Sequence, residues 1–254
     1  MRPVITTVNQ GRWRMVYNWL DNTRNRLFPA HCRLCLAPGG QGQDLCEGCR
    51  AELPWLGSSC RTCALPLGGA LIDQCARCLN APPVLDACHA LFAYRPPIDD
   101  WIHALKFRQD LSIARLLGNM LSEHAFIASR IDRPRVLPVP LHPRRLAQRG
   151  YNQAKELARP LLKAGYLATR CDCRRVRHTE AQSTLDRKQR SRNLRGSFSV
   201  TTALENQQVL LVDDVMTTGA TLNELATELK RVGASRVEAI VVARTIARGH
   251  INPE

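Results

Sequence analysis

Two adjacent carboxylates, Asp213 and Asp214, follow the unbroken apolar run Val209, Leu210, Leu211, Val212, and a hydroxyl-rich turn, Thr217-Thr218-Gly219-Ala220-Thr221, comes directly after them. A continuous apolar run of this length reads as a strand covered on both faces, so the acids are expected to emerge at its carboxyl end, where open parallel sheets bind ligands. The turn runs into Leu222, Leu225, Ala226, Leu229 and Val232, whose spacing marks one buried face of a helix. A helix start carries unpaired amides and about half a positive charge. Thr217, Thr218 and Thr221 add hydroxyl donors, and Gly219 permits close backbone approach. Such a cup suits a phosphate monoester. The acids repel a phosphate, but they can accept hydrogen bonds from the 2- and 3-hydroxyls of an attached ribose. The two features together select a ribose 5-phosphate.

A second chemistry lies near the start of the chain. Eight of the eleven cysteines form four Cys-x-x-Cys pairs: Cys32/Cys35, Cys46/Cys49, Cys60/Cys63 and Cys75/Cys78. Tetrahedral zinc takes two such pairs, so the count predicts two structural sites of four thiolates each. Sequential pairing makes two successive ribbons, whereas a cross-brace would join Cys32/Cys35 to Cys60/Cys63 and Cys46/Cys49 to Cys75/Cys78. Cys88, Cys171 and Cys173 fall outside the pattern and read as buried or idle thiols.

The elements that must carry these groups can be read from periodicity. Trp13, Val16, Trp19, Leu20 and Leu27 suggest an amphipathic helix within residues 1–29. A ribbon module is expected over 30–80, with a boundary at Ala81-Pro82-Pro83, and a larger domain over 84–247. In that domain strands are predicted at 84–94, 136–141, 171–176, 197–200, 209–214 and 237–243. Helices are predicted from Ile98 to Leu105, Leu111 to Ile127, Tyr151 to Gly165 with a Pro160 kink, and from the hydroxyl turn to Val232. Alternating strands and helices imply a parallel, right-handed α/β sheet. The segment 142–150 lies between elements, leaving the same sheet edge as the acids. Its Arg144, Arg145 and Arg149 are therefore candidates for neutralising a diphosphate, with Arg149 preferred.

Charge is concentrated. The 254 residues hold 36 Lys or Arg against 22 Asp or Glu, a net of +14, and residues 130–195 alone hold 18 against 5. So dense a patch attracts polyanions in a salt-sensitive way. It reads either as a solvated basic surface or as an anion track shared by a diphosphate and a nucleic-acid backbone. With only Tyr151 and Tyr166 as aromatics inside it, backbone contact would dominate base stacking. Without a signal-peptide pattern or an apolar run long enough to span a bilayer, a cytoplasmic location is expected.

The Asp-Asp-x-x-Thr-Thr-Gly-x-Thr pattern resembles the phosphoribosyl diphosphate (PRPP) motif of type I phosphoribosyltransferases. More broadly, the chain is similar to the ComF family of competence and DNA-uptake proteins, from about residue 28 onward. The likeness rests on the Cys-x-x-Cys ribbons, Leu105-Lys106-Phe107-Arg108, Pro138-Val139-Pro140-Leu141 with Arg144, and Arg149-Gly150-Tyr151-Asn152-Gln153. It continues through Arg177-His178-Thr179 with Gln182-Ser183, Arg190, Asn193 and Gly196 to the acidic motif. One departure is Gln109, where relatives often carry glycine.

That resemblance implies an α/β, parallel-sheet type I phosphoribosyltransferase fold behind a small N-terminal zinc-ribbon module, with PRPP and Mg²⁺ as ligands and single-stranded DNA handling as the setting. Asp213 and Asp214 would serve the ribose, Thr217 to Thr221 its 5-phosphate, and Arg144, Arg145 and Arg149 the diphosphate. Arg175, Arg177, Thr179 and Gln182 would form a mobile cover. Two functions compete. One is a phosphoribosyltransferase acting in DNA uptake or utilisation, with an unknown acceptor. The other is a catalytically silent adaptor that senses PRPP, binds single-stranded DNA through 130–195 and recruits a DNA-uptake helicase.

Overall fold

The computed structural model describes residues 30–40, 43–69, 72–128, 134–177 and 195–246. The expected helix within 1–29, and Thr179 and Gln182 of the expected cover, lie outside them. The chain divides into two compact units, one ending at Leu53 and the other beginning at Pro54.

The described part of the first unit is a single ribbon. Cys32 donates its amide to Ala37 O (2.7 Å) and Arg33 to Asp44 O (3.0 Å), the bridge His31–Pro38 closes the knuckle, and α1 (Glu47–Ala51) begins at Cys46. The second unit opens with the same construction twenty-eight residues on. Cys60 donates to Leu65 O (2.8 Å) and Arg61 to Asp73 O (2.9 Å), the bridge is Ser59–Pro66, and α2 (Ala76–Asn80) begins after Cys75. Leu36 and Ala64, each one residue past a ligand-position cysteine, share a left-handed backbone (φ 64 and 52).

The rest of the second unit is a five-stranded parallel sheet in the order β1-β7-β6-β2-β3, formed by β1 (Ala87–Ala93), β2 (Arg135–Pro138), β3 (Leu167–Ala168), β6 (Gln208–Met216) and β7 (Arg236–Arg244). An antiparallel pair, β4 (Cys173–Arg175) and β5 (Phe198–Val200), stands apart. The helices are α3 (Ile98–Phe107), α4 (Leu111–Ala128), α5 (Pro143–Arg149), α6 (Gln153–Lys163) and α7 (Ala220–Arg231). β6 and β7 are buried on both faces, as their apolar runs require. α4 packs on α6 where Gly118 meets the Leu157 carbonyl and the Pro160 ring; a Cβ there would lie 2.7 Å from that oxygen. Pro160 thus sits inside a continuous helix and fills a groove opposite a glycine.

The second ribbon belongs to this unit because it covers a sheet edge. β1 is an outer strand, and the approach to the ribbon lies along it: Leu56 N donates to Leu91 O (2.8 Å), Ala93 N to Pro54 O (2.8 Å) and Cys88 N to Arg61 O (2.9 Å). Trp55 packs at a tilt against the fully buried Phe92, with centroids 4.6 Å apart and ring planes at 46°. Capping an open strand edge satisfies its backbone groups. The packing boundary therefore falls inside the 30–80 segment that the cysteine spacing groups together.

Two local elements differ from expectation. The 142–150 segment is not a loop: Pro143 occupies the first turn, His142 Nδ1 accepts from Arg144 N (3.2 Å), and Gly150 closes the helix at φ 81. The motif strand also continues two residues past the acids, to Met216.

Candidate functional site

β2 runs out to β3 on one side and β6 to β7 on the other, so the chain diverges between the carboxyl ends of β2 and β6, the place where open parallel sheets form a ligand crevice. Register shows how acids inside a strand can still face it. β2 pairs with β6 only as far as Pro138–Val212, while β7 accompanies β6 to Met216–Arg244. From Asp213 onward β6 is held on one side only.

Asp214 is 5% exposed, and its Oδ2 accepts from Lys106 Nζ at 3.0 Å and Gln153 Nε2 at 3.2 Å. The acids were expected to emerge at the strand's carboxyl end; they lie inside β6, and Asp214 is buried against Lys106 and Gln153. Asp213 retains some open surface, and its Oδ1 accepts from the Asp214 amide (2.9 Å). Desolvation and the neighbouring Asp214 charge push its carboxyl up to about 7, against the opposing pull of that amide and of Lys106 and Arg175. A carboxyl in that range can exchange a proton at neutral pH.

The Arg149–Gln153 run ties the elements around Asp214 together residue by residue. Gly150 ends α5, and the Tyr151 hydroxyl donates to Leu105 O, tying the turn to the last turn of α3 that also carries Lys106. Asn152 caps α6 through Ala154 N (2.9 Å) and holds Val139 O with its amide (2.9 Å), and Gln153 reaches Asp214. Arg149 lies over the Phe107 ring, 5.7 Å from its centroid, and one of its buried guanidinium nitrogens has no acceptor among the described residues. Burial lowers its pKa, partly offset by the Asp214 charge. Of the other arginines in α5, Arg144 is exposed and Arg145 half-buried. Arg175, on β4, lies over Phe198 at 5.6 Å, and Arg177 donates to Arg195 O (3.1 Å).

The hydroxyl turn follows β6. Gly219 adopts φ 81, so a side chain there would strain the backbone and displace the Met216 methyl that lies against it. Thr218 Oγ1 accepts from Ala220 N (3.3 Å) at the start of α7, and among the described residues the amides of Thr217, Thr218 and Gly219 meet no acceptor. The helix start therefore remains a donor surface.

The cysteines form two groups, Cys32/Cys35/Cys46/Cys49 and Cys60/Cys63/Cys75/Cys78, each with its sulfurs within 4.8 Å of one another. Pairing is sequential. The contacts Cys35–Cys46 and Cys63–Cys75 measure 3.7 Å, close to the edge of about 3.8 Å in a tetrahedron with zinc–sulfur bonds of about 2.3 Å, and far from a disulfide. Among the ligand positions, amide hydrogen bonds outweigh desolvation to lower Cys32 to about 6 and Cys60 to about 7. The donor sets fit structural zinc.

Family models agree with both parts: a double zinc ribbon domain matches residues 24–79 and a phosphoribosyl transferase domain matches 146–250. The DNA utilization protein YhgH of Salmonella typhi is 34% identical over 226 residues, covering 86% of this chain and 98% of that protein. The chain belongs to the ComF family. A second ComF relative, competence protein F of Haemophilus influenzae, is 32% identical over 224 residues, covering 84% and 95%. A solved purine phosphoribosyltransferase from Pyrococcus horikoshii aligns with a TM-score of 0.28 at 18% identity, over 66% of this chain and 97% of that one. The parallel sheet, the transferase domain and the paired ribbons make this ComF protein an α/β phosphoribosyltransferase-type chain with zinc ribbons before it. No helix among the described residues is long and apolar enough to cross a membrane.

Reasoning from residue types alone missed Lys106 and Gln153 as site residues, although both lie in the runs that carry the ComF resemblance. It also missed Arg244, 3% exposed at the end of β7. A lone charge closing the apolar run Ala239 to Ala243 was the available signal.

Proposed function

We propose that this ComF protein binds PRPP with Mg²⁺ in the crevice between β2 and β6, and acts as a phosphoribosyltransferase in the use of external, single-stranded DNA. The observation that carries the reading is the juxtaposition, over a few residues of one strand and its turn, of an acid pair and three amides that meet no acceptor among the described residues. Asp213 accepts from the ribose hydroxyls. Asp214, held by Lys106 and Gln153, fixes the geometry beside it. Thr217 to Thr221 take the 5-phosphate, and Arg149, with Arg144 and Arg145 along the same helix, faces the diphosphate. Arg175 and Arg177 lie on the cover side. Mg²⁺, when bound, would be held beside Asp213 and Asp214 and would neutralise diphosphate charge, a task that needs few protein ligands because the ion keeps several waters.

In the transfer a nucleophile forms a bond to the anomeric carbon as the bond to diphosphate breaks, and the leaving group departs with its electron pair. The protein's part is to orient the sugar and stabilise charge. Asp213, near 7, is suited to take the proton that an incoming amine releases. The names of the relatives and the +14 net charge support a DNA setting, with the basic 130–195 region as the track.

Calorimetric titration with PRPP, with and without Mg²⁺, tests the site. Wild-type protein should bind, and Asp213→Asn with Asp214→Asn should abolish binding while the melting curve keeps its shape; equal affinity in the variant would sink the assignment. Turnover with PRPP and a panel of bases, amines and single-stranded DNA then separates transferase from adaptor. A stable ternary complex that releases no diphosphate would favour the silent adaptor, with a helicase as its partner.

A further inference from the structure

The three amides of the hydroxyl turn face outward because the carbonyls on the other side of their peptide planes are tied down. In a trans peptide the N–H points opposite to the C=O. Met216 O accepts from the Thr245 amide (3.1 Å) and from Arg244 (3.0 Å), and Thr217 O accepts from Arg244, which turns the amides of Thr217 and Thr218 the other way. Arg77 donates to Thr218 O at 3.5 Å, which does the same for the amide of Gly219. Both arginines are bound up with the second ribbon. Arg244 Nε donates to Cys63 O at 2.8 Å, and Arg77 lies on α2 between Cys75 and Cys78.

We propose that Arg244 and Arg77 are positioning residues that make the second four-cysteine site part of the 5-phosphate cup, so that zinc held there and phosphate held at Thr217–Gly219 are energetically coupled. The inference rests on reading that turn as the 5-phosphate site. The geometry gives it direction. Cys63 supplies a sulfur to the cluster and its own carbonyl to Arg244, so a shift of the cluster moves the guanidinium and with it the Thr217–Thr218 peptide plane of the cup. Arg244 has little freedom to absorb such a shift, since the side chain is buried and its Nη1 shares its two N–H groups among Met216 O, Thr217 O and Thr245 O. The four sulfurs of the first cysteine group lie in the other unit.

Coupling is reciprocal: if zinc tightens the cup, the phosphate must tighten zinc. On the two-zinc protein, saturating ribose 5-phosphate or PRPP·Mg²⁺ should slow chelator release of one zinc equivalent by about fivefold or more and leave the other unchanged. Arg77→Ala removes a half-buried side chain that lines a cavity of ≈ 330 Å³, so it should fold normally. It should weaken ribose 5-phosphate binding about threefold, and Arg244→Lys about tenfold or more. Amide exchange across 216–221, measured without ligand, should rise in Arg77→Ala and after removal of the zinc from the second site, with the rest of the sheet unaffected. Unchanged affinity and exchange in Arg77→Ala, or zinc release indifferent to bound phosphate, would overturn the coupling. If exchange follows zinc but wild-type protein shows no affinity for PRPP, the proposed function falls and the pinning of the turn stands.

Discussion

The two four-cysteine groups have the same spacing logic, the same knuckle hydrogen bonds and the same left-handed residue after the second cysteine, yet they occupy different environments. In the first, Cys35 is exposed and Cys46 and Cys49 are half-buried; in the second, all four are buried, among the residues that form the sheet's own core. A duplicated motif has therefore taken two jobs. One copy folds a small unit around its metal. The other caps the β1 edge and reaches through Arg244 to the turn beside the acid pair. The difference lies in the strand that the second copy meets: its flanking residues are tied along β1 through Leu56, Cys88 and Ala93.

The largest effect should come from emptying one site or the other. Cys60→Ser with Cys75→Ser removes one zinc and should destabilise the second unit by more than about 5 kcal/mol, enough to melt a domain of ordinary stability. Cys32→Ser with Cys46→Ser also removes one zinc, but should leave the melting of the second unit within about 1 kcal/mol. Scanning calorimetry with elemental analysis checks both, and equal losses would erase the distinction between the copies.

A smaller effect is carried by pH. Because the Asp213 carboxyl is raised to about 7, the protonated form is favoured in the fold, so its contribution to stability is full at low pH and is lost as pH rises through about 7. Ligand affinity should run the other way, since the ribose hydroxyls need the ionised acid: PRPP·Mg²⁺ binding should weaken by up to about tenfold per unit as pH falls below about 7. Asp213→Asn should flatten this step, whereas Cys32→Ser should leave it in place. A step missing from wild-type titrations would contradict the role given to Asp213.

The smallest concerns Gln109, which adopts φ 55 between α3 and α4, in the left-handed region where glycine is at ease. Gln109→Gly should raise stability by about 1 kcal/mol, read from chemical denaturation of the second unit, without changing zinc release from the first. A loss of stability would show that the Gln109 side chain makes up for its backbone.

Much of this could be read in the residues. Every strand of the sheet except the two-residue β3 was anticipated within a few positions, because parallel strands buried on both faces are long apolar runs with little ambiguity. α5 was not, since Pro143-Arg-Arg-Leu146-Ala-Gln-Arg149 offers no buried face and its helix depends on the caps at His142 and Gly150. The acid pair and hydroxyl turn were legible because they are contiguous. The partners of Asp214 were not: Lys106 comes from α3, more than a hundred residues earlier, and Gln153 from the start of α6.

By itself, then, the amino-acid order determined the contiguous chemistry: which thiols come in pairs, which acids stand together and which turn offers amides, because each of these needs only neighbours in the chain. The fold alone decided which cysteine group would be enclosed, which lysine would meet Asp214 and which arginine would hold the carbonyls of the turn. Those choices depend on strand order and register, on β7 outrunning β2 alongside β6, and on a ribbon covering β1, all of which join residues far apart in sequence.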